Sequence, residues 1–325
     1  MLSRQQLQRA ASDSGFQVES LEKVWMLLRL LDMMRAHPFL APRLVLKGGT
    51  ALNLFVFDVP RLSVDIDVNY IGAPDRETML AERPRLDAAL QQVASRLGLT
   101  VKRAPDEHAG GKWRMSYRSA LGRPAILEVD VNYLLRVPLW DPVQRHTREL
   151  TPELAGVPTG TIALLDDHEL AAGKLAALLA RGASRDLFDA RQLLASQVFD
   201  PHKLRVAFVV YGGINRVDWR TVSVESVTAS VADVKRQLLP MLRHDLRPAP
   251  SEVDVWTHQL VQDTRALLGA LLPLSETEVA FLERLNGHGQ IDPSLLTADV
   301  DLRARIVASP GLRWKALNVR KHRGL

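Results

Sequence analysis

Two short segments constrain the fold of this 325-residue chain more than any other feature. VDIDVNY (64–70) and ILEVDVNY (126–133) alternate apolar and polar residues with a period of two. That is the pattern of a β-strand with one buried face. In the first segment Val64, Ile66, Val68 and Tyr70 share one face, and Asp65, Asp67 and Asn69 share the other. In the second, Val129, Val131 and Tyr133 oppose Glu128, Asp130 and Asn132. Two carboxylates on neighbouring same-face positions repel, and one tends to stay protonated unless a cation is near. Either the acidic face is simply wet, or it holds a divalent ion, which takes hard oxygen ligands from carboxylates and from a substrate's phosphates. If the two strands are neighbours, Asp130 becomes a third carboxylate facing the pair.

The stretch ahead of the first strand, KGGTALNLFVFDVPRLS, supplies a second kind of chemistry. Gly48 and Gly49 carry no side chain, so backbone N–H groups can approach an anion. Thr50 adds a hydroxyl and stands where it can cap the helical turn expected over Ala51–Phe57, whose free N–H groups favour phosphate. Taken alone, a glycine pair is only a tight turn. Followed by the two-aspartate strand, it reads as a triphosphate on the turn and metal on the strand. Arg61 either touches phosphate or pairs with a surface acid. Ser63 either contributes to phosphate or metal binding, or is a position where phosphorylation would repel the nucleotide.

The remaining pattern sets the frame. Residues 20–36 read as a helix with Ser20 as N-cap, ended by Pro38. Arg43–Leu46 reads as a short strand, 75–97 as a helix, and 99–104, 112–119 and 125–134 as strands, with Gly110-Gly111 turning between the first two. After Pro158 a strand at 161–166 leads into a helix with Asp166 and Glu169 at capping-box spacing and a stop at Gly182. A second helix runs from Ser184 to about Ser196, and helices follow at 200–211, 223–239, 251–271 and 275–285. The expected fold is α+β (mixed α/β), with domain 1–160 mixed and domain 161–325 mainly helical. HDLRPAPSE (244–252) reads as an internal linker.

Composition narrows the class. Apolar content of 46% with 24% charged residues fits a globular core. The absence of cysteine excludes a disulfide framework and any cysteine zinc site. No run approaches the roughly 18 apolar residues of a membrane span, and the N-terminus lacks a secretory apolar region, so a cytoplasmic protein without membrane contact is expected. The formal charge is +5, and Leu302–Leu325 holds seven basic residues and no acidic one. This segment is either a solvated tail or a surface for nucleic acid.

The run GGTALNLFVFDVPRLSVDIDV resembles the signature of the nucleotidyltransferase superfamily that includes DNA polymerase β. With KGGTAL followed by R-x-S-x-D-x-D, it is most similar to the AbiEii/MenT toxins of type IV toxin–antitoxin and abortive-infection systems. A second block of that family, K-x-x-A-L-x-x-R followed by R-D-x-x-D, is matched by Lys174, Ala177, Leu178, Arg181, Arg185, Asp186 and Asp189. The C-terminal WKALNVRKHRG is similar as well. The resemblance implies a polymerase-β-like N-terminal domain and transfer of a nucleotide from an NTP to RNA, with the tRNA 3′ end as acceptor and a cognate antitoxin as partner. It implies that Asp65, Asp67 and Asp130 hold magnesium, or manganese in its place, and that Gly48, Gly49 and Thr50 hold phosphates. Transfer to a protein or small molecule, and a non-catalytic RNA- or protein-binding module, are the competing functions.

Read physically, Lys174 and Arg181 lie two helical turns apart on one face. They either reach triphosphate oxygens or form a solvated basic stripe. Asp186, in the first turn after Ser184, is stabilised by the helix dipole or orients Lys174 or Arg181. Asp189 follows one turn later. Lys174 and Asp186 are the first catalytic candidates here, with Arg181 and Arg185 as nucleotide contacts. RNA contacts are expected from Lys102, Arg103, Lys112 and Arg114, and from Arg303, Arg305, Arg313, Lys315 and Arg320. Trp314 either stacks a base or docks the tail on the core. His108 and His288 carry no assigned role.

Overall fold

The computed structural model describes residues 2–103, 110–150, 160–196 and 198–324. His108, Pro158 and the end of the strand expected at 99–104 lie outside them. The chain divides into two compact units, Met1–Arg136 with Pro142–Leu165 and Leu239–Arg247, and Val137–Asp141 with Asp166–Leu238 and Pro248–Leu325.

The first unit contains one seven-stranded mixed sheet among the described residues. Its strands are β1 (Leu44–Lys47), β2 (Asp65–Tyr70), β3 (Thr100–Arg103), β4 (Gly110–Arg118), β5 (Pro124–Asn132), β6 (Val143–Arg145) and β7 (Ile162–Leu164). Their order across the sheet is β3-β4-β5-β2-β1-β7-β6. β2 runs parallel to β5 with Asp67 opposite Asp130, and antiparallel to β1 with Asp67 opposite Lys47. Gly110 and Gly111 open β4, opposite Asn132 and Val131, and are not the turn expected there.

Alternation decides what the sheet must bury. Trp113, Met115, Leu127, Val129, Val131, Ile66, Val68 and Tyr70 are all buried. Two helices cover them. α2 (Val18–Ala36) packs on β5 and β7, and α4 (Arg76–Arg96) packs on α2 and β3. α2 begins at Val18 after Gln17, not at Ser20, which is buried inside the helix. The reason is tertiary: Glu22 on its second turn accepts hydrogen bonds from the Ser119 hydroxyl and the Ala120 N–H, which draws the helix start toward the β4–β5 turn. A further helix precedes it, α1 (Arg4–Ser14), with Ser3 and Gln6 forming a capping box and Gly15 ending it in the left-handed region. Its polar sequence hid it: only Leu7 and Ala10 are buried.

α3 (Gly48–Ala51) continues as wide π turns through Leu52–Val56. The return to β2 passes Val59, a β-branched residue at φ 44°, a conformation such residues rarely adopt. Leu239–Arg247 lies against this return: the Leu62 N–H donates to the Met241 carbonyl and the Arg243 N–H to the Pro60 carbonyl. Residues 244–247 of the expected linker therefore belong to the first unit.

The second unit is helical. It comprises α5 (Asp167–Arg181), α6 (Ser184–Ser196), α7 (Pro201–Ile214), α8 (Val231–Asp233), α9 (Val253–Leu268), α10 (Glu276–Glu283), α11 (Val300–Ala308) and α12 (Pro310–Arg323). Of the helix expected over 223–239 only the second half forms: α8 runs on as a π turn through Val234–Leu238, and a short turn at Val224–Ser226 precedes it. The Asp233 carboxylate on α8 accepts from the Ser184 N–H, so it caps α6 from a distant part of the chain.

Asp166 caps α5 through the His168 N–H, but Glu169 does not complete a capping box. It is buried instead, accepting from the Tyr211 hydroxyl at 3.0 Å and the Trp140 N–H at 3.2 Å. Burial pushes its carboxyl up to about 7, above the ordinary 4.5. The folded chain thus holds an extra proton between about pH 4.5 and 7, and stability falls as pH rises through that window. Glu169→Gln is expected to flatten this slope and to be the more stable form at pH 8, by about 2–3 kcal/mol. Urea midpoints of both proteins at pH 5 and pH 8 measure it.

Candidate active site

The site in the first unit is assembled by backbone first. Gly48 sits at φ +73°, and a Cβ there would lie 2.5 Å from Asp67 Oδ2. A Cβ on Gly49 would lie 2.9 Å from Ser63 Oγ and 3.0 Å from Arg61 Nη2. Both glycines are therefore required by close approach, Gly48 by its dihedral as well. Thr50 is fully buried, and its hydroxyl donates to the Asp65 carbonyl. That corrects its expected part: the hydroxyl ties the glycine turn to β2, and only its backbone is left for an anion. Asn53, also buried, donates from Nδ2 to the Gly49 carbonyl at 2.9 Å and braces the turn from behind. Nothing in its sequence context singled it out.

Arg61 is buried, not at the surface, and donates to the Leu62 carbonyl at 2.9 Å. Ser63 is buried beside it. The turn is thus lined by one guanidinium and one hydroxyl, with Asp67 on its other side.

The sheet register sets the electrostatics. Lys47, Asp67, Asp130 and Lys112 occupy one row across β1, β2, β5 and β4. Asp65, Glu128 and Arg114 occupy the next. Lys112 reaches Glu128 at 2.8 Å and Asp130 at 3.5 Å, and Arg114 reaches Glu128 at 2.9 Å. The hydrogen bond from Lys112 holds Glu128 below the usual carboxylate range. Asp130 is pushed up by burial and by the charge of Asp67, with Lys112 opposing. Lys112 and Arg114, expected to meet RNA, are engaged here with the acidic row. Asn69, on the same face, is buried with neither amide atom hydrogen-bonded.

Among the described residues, no group of three or more His, Cys, Asp or Glu side chains could hold a metal ion. Asp130 is therefore opposite Asp67 in register, but the expected three-carboxylate cluster is not formed. The donor set nevertheless fits magnesium, which usually takes one or two carboxylates and completes its shell with water and substrate phosphates. Asp65 and Asp67 are such a pair, and Gly48 leaves the space beside Asp67 that any side chain would fill.

The second block forms its own cluster inside the second unit. Lys174 Nζ lies 2.8 Å from Asp186 and 3.0 Å from Asp189, all three buried. Arg181 Nε lies 2.6 Å from the other oxygen of Asp186, with its side chain 65% exposed. Burial pushes the Asp186 carboxyl up, but the Lys174 charge and the Arg181 hydrogen bond outweigh it, so it titrates below the usual range. Asp186 is thus not merely a helix-dipole acid.

The family profile described as "Nucleotidyl transferase AbiEii toxin, Type IV TA system" matches residues 29–255. The chain belongs to this family of nucleotidyltransferase toxins, whose type IV systems pair toxin with antitoxin. Among solved structures it is similar to MenT4, a nucleotidyltransferase toxin from Mycobacterium tuberculosis H37Rv. The TM-score is 0.59 at 20% identity, over 96% of this chain and 99% of that one. At that identity the likeness shows the fold. The E. coli MS115-1 CdnC:HORMA-deltaN complex matches at TM-score 0.28 and 13% identity, over 87% of this chain and 96% of that one, and carries no argument. No curated protein matches the chain.

Two outcomes follow. Gly48→Ala forces an ordinary residue into a left-handed dihedral, at about 1–2 kcal/mol, and displaces Asp67. Nucleotidyl transfer is expected to be lost while circular dichroism stays near wild type. Lys174→Met leaves two buried carboxylates without their shared cation, at about 3–5 kcal/mol. The Asp186 contribution is present above the ordinary carboxylate pKa of about 3.9 and fades as pH falls through its lower folded value. The gap in denaturation midpoint between the two proteins is therefore expected to narrow between pH 6 and pH 3.

Proposed function

We propose that this toxin transfers a nucleotide from an NTP to RNA, with the tRNA 3′ end as acceptor, and so stops translation. The approach of Gly48 to the Asp67 carboxylate carries the reading, because it sets an anion cradle and a metal-binding carboxylate side by side. MenT4, the nucleotidyltransferase toxin that shares the fold, supports it.

In this reading the N–H groups of Gly48 and Gly49 bind phosphate oxygens, and Arg61 with Ser63 lines the same turn. Asp65 and Asp67 would hold magnesium, which when bound neutralises charge on the phosphates and lowers the pKa of an attacking hydroxyl. Asp130, raised above the usual carboxylate range by burial, lies opposite Asp67, where it completes the acidic row. Thr50 holds the turn at one distance from β2 and Asn53 braces the turn itself, so little reorganisation accompanies binding. In the second block, Lys174 and Asp186 keep the catalytic part the family motif implies. Arg181, exposed and fixed to Asp186, and Arg185 beside it are the nucleotide contacts.

The test is incubation with each labelled NTP, magnesium and total RNA, with label resolved by molecule. Label in the tRNA band, lost in Asp67→Asn at least 100-fold without loss of folding, is expected. Label on protein or small molecules, or an Asp67→Asn protein that stays fully toxic, refutes the reading.

A further inference from the structure

One face of α12 carries Trp314, Lys315, Asn318, Val319, His322 and Arg323, spaced as neighbours on successive helical turns. This face forms one wall of a cleft of about 350 Å³ within the second unit. Arg216 and Asn286 line it from other segments. Its walls contain no acidic residue. The Trp314 side chain is 50% exposed, although a residue of this size usually seeks burial. Half of this side chain is therefore left open beside the cleft. Leu312 and Ala316 of the same helix are both buried.

The polar groups of the cleft are of two kinds. Lys315 Nζ donates to the Asn215 carbonyl at 2.8 Å, which fixes its charge in the wall. Arg216 and Arg323 form no ion pair with any described residue and stand ready for an anion. Asn286 Oδ1 is buried and without a hydrogen-bond partner. Asp218, which pairs with Arg220, is the acidic group whose field reaches Lys315.

We propose that this cleft binds one unpaired base of single-stranded nucleic acid, with the ring on Trp314 and the flanking phosphates on Arg216 and Arg323. The volume lies in the range of small-molecule pockets. An aromatic platform beside cations is how base and backbone are held together without sequence reading. The proposal rests on RNA as the acceptor, and names a second place on the chain where that acceptor is gripped.

The experiment measures anisotropy of a fluorescein-labelled unstructured 10-mer RNA, and separately the rate of label transfer to tRNA. Wild type, Asp67→Asn, Trp314→Ala, Trp314→Phe and Arg216→Ala with Arg323→Ala are compared. Trp314→Ala is expected to weaken 10-mer binding about 10-fold, as loss of one stacked base does, with Trp314→Phe largely restoring it. The double arginine variant is expected to weaken binding and flatten its salt dependence. Asp67→Asn is expected to bind RNA normally. Binding and tRNA KM unchanged in Trp314→Ala would overturn the cleft assignment while leaving the RNA acceptor intact. If no RNA is labelled but the 10-mer binds through Trp314, the cleft stands and the proposed acceptor falls. Trp314→Ala that loses only binding of the antitoxin protein overturns the nucleic-acid assignment.

Discussion

The parallel pairing of β2 with β5 is the constraint on which the acidic site depends. It brings Asp67 and Asp130 to directly opposed positions, where like charges destabilise a sheet. The sheet accommodates them by flanking the acids with bases: Lys47 in register on one side and Lys112 on the other. The two adjacent acids are bracketed by a base at each end of the row, so that the acidic centre is held in place by its neighbours and not by burial alone. A divalent ion with substrate phosphates would relieve what repulsion remains.

The glycine turn is held by close backbone contacts. Gly48 and Gly49 come so near Asp67, Ser63 and Arg61 that any Cβ would collide. Thr50 and Asn53 are buried on the far side, each with a hydrogen bond to a main-chain carbonyl. Such bonds in a buried setting contribute about 1 kcal/mol each, but their larger effect is on geometry. The Thr50 bond fixes the turn relative to β2 and the Asn53 bond fixes its internal shape.

The helical unit uses a different device. Lys174 is shared by two buried aspartates, with Arg181 reaching in from solvent to one of them. A buried cluster of this kind gives little net stability compared with apolar packing, yet removing one member is costly. It therefore fixes how α5 meets α6 more than how strongly they adhere. Glu169 on α5 is the opposite case, a carboxyl kept neutral by burial rather than charged by a partner.

Much of this was legible in local pattern. The period-two alternation of residues 64–70 and 126–133 determines two strands with acidic faces, since side chains alternate on any strand wherever it lies. The glycine pair, the family motif around it and the second block from Lys174 to Asp189 were equally readable, because each is contiguous. Ser20 failed as a cap, Glu169 failed as half of a capping box, and the helix expected over 223–239 formed only from Val231. In the first two cases a partner distant in sequence outweighed local propensity: Ser119 and Ala120 for the start of α2, and Tyr211 and Trp140 for Glu169. The sequence alone determines which residues can carry charge, turn sharply or bind phosphate. Only the tertiary structure decided that Thr50 looks inward, that Lys112 faces Asp130 and Glu128, and that Asp67 lies against Gly48, because proximity between strands depends on pairing order and register, which no local periodicity encodes.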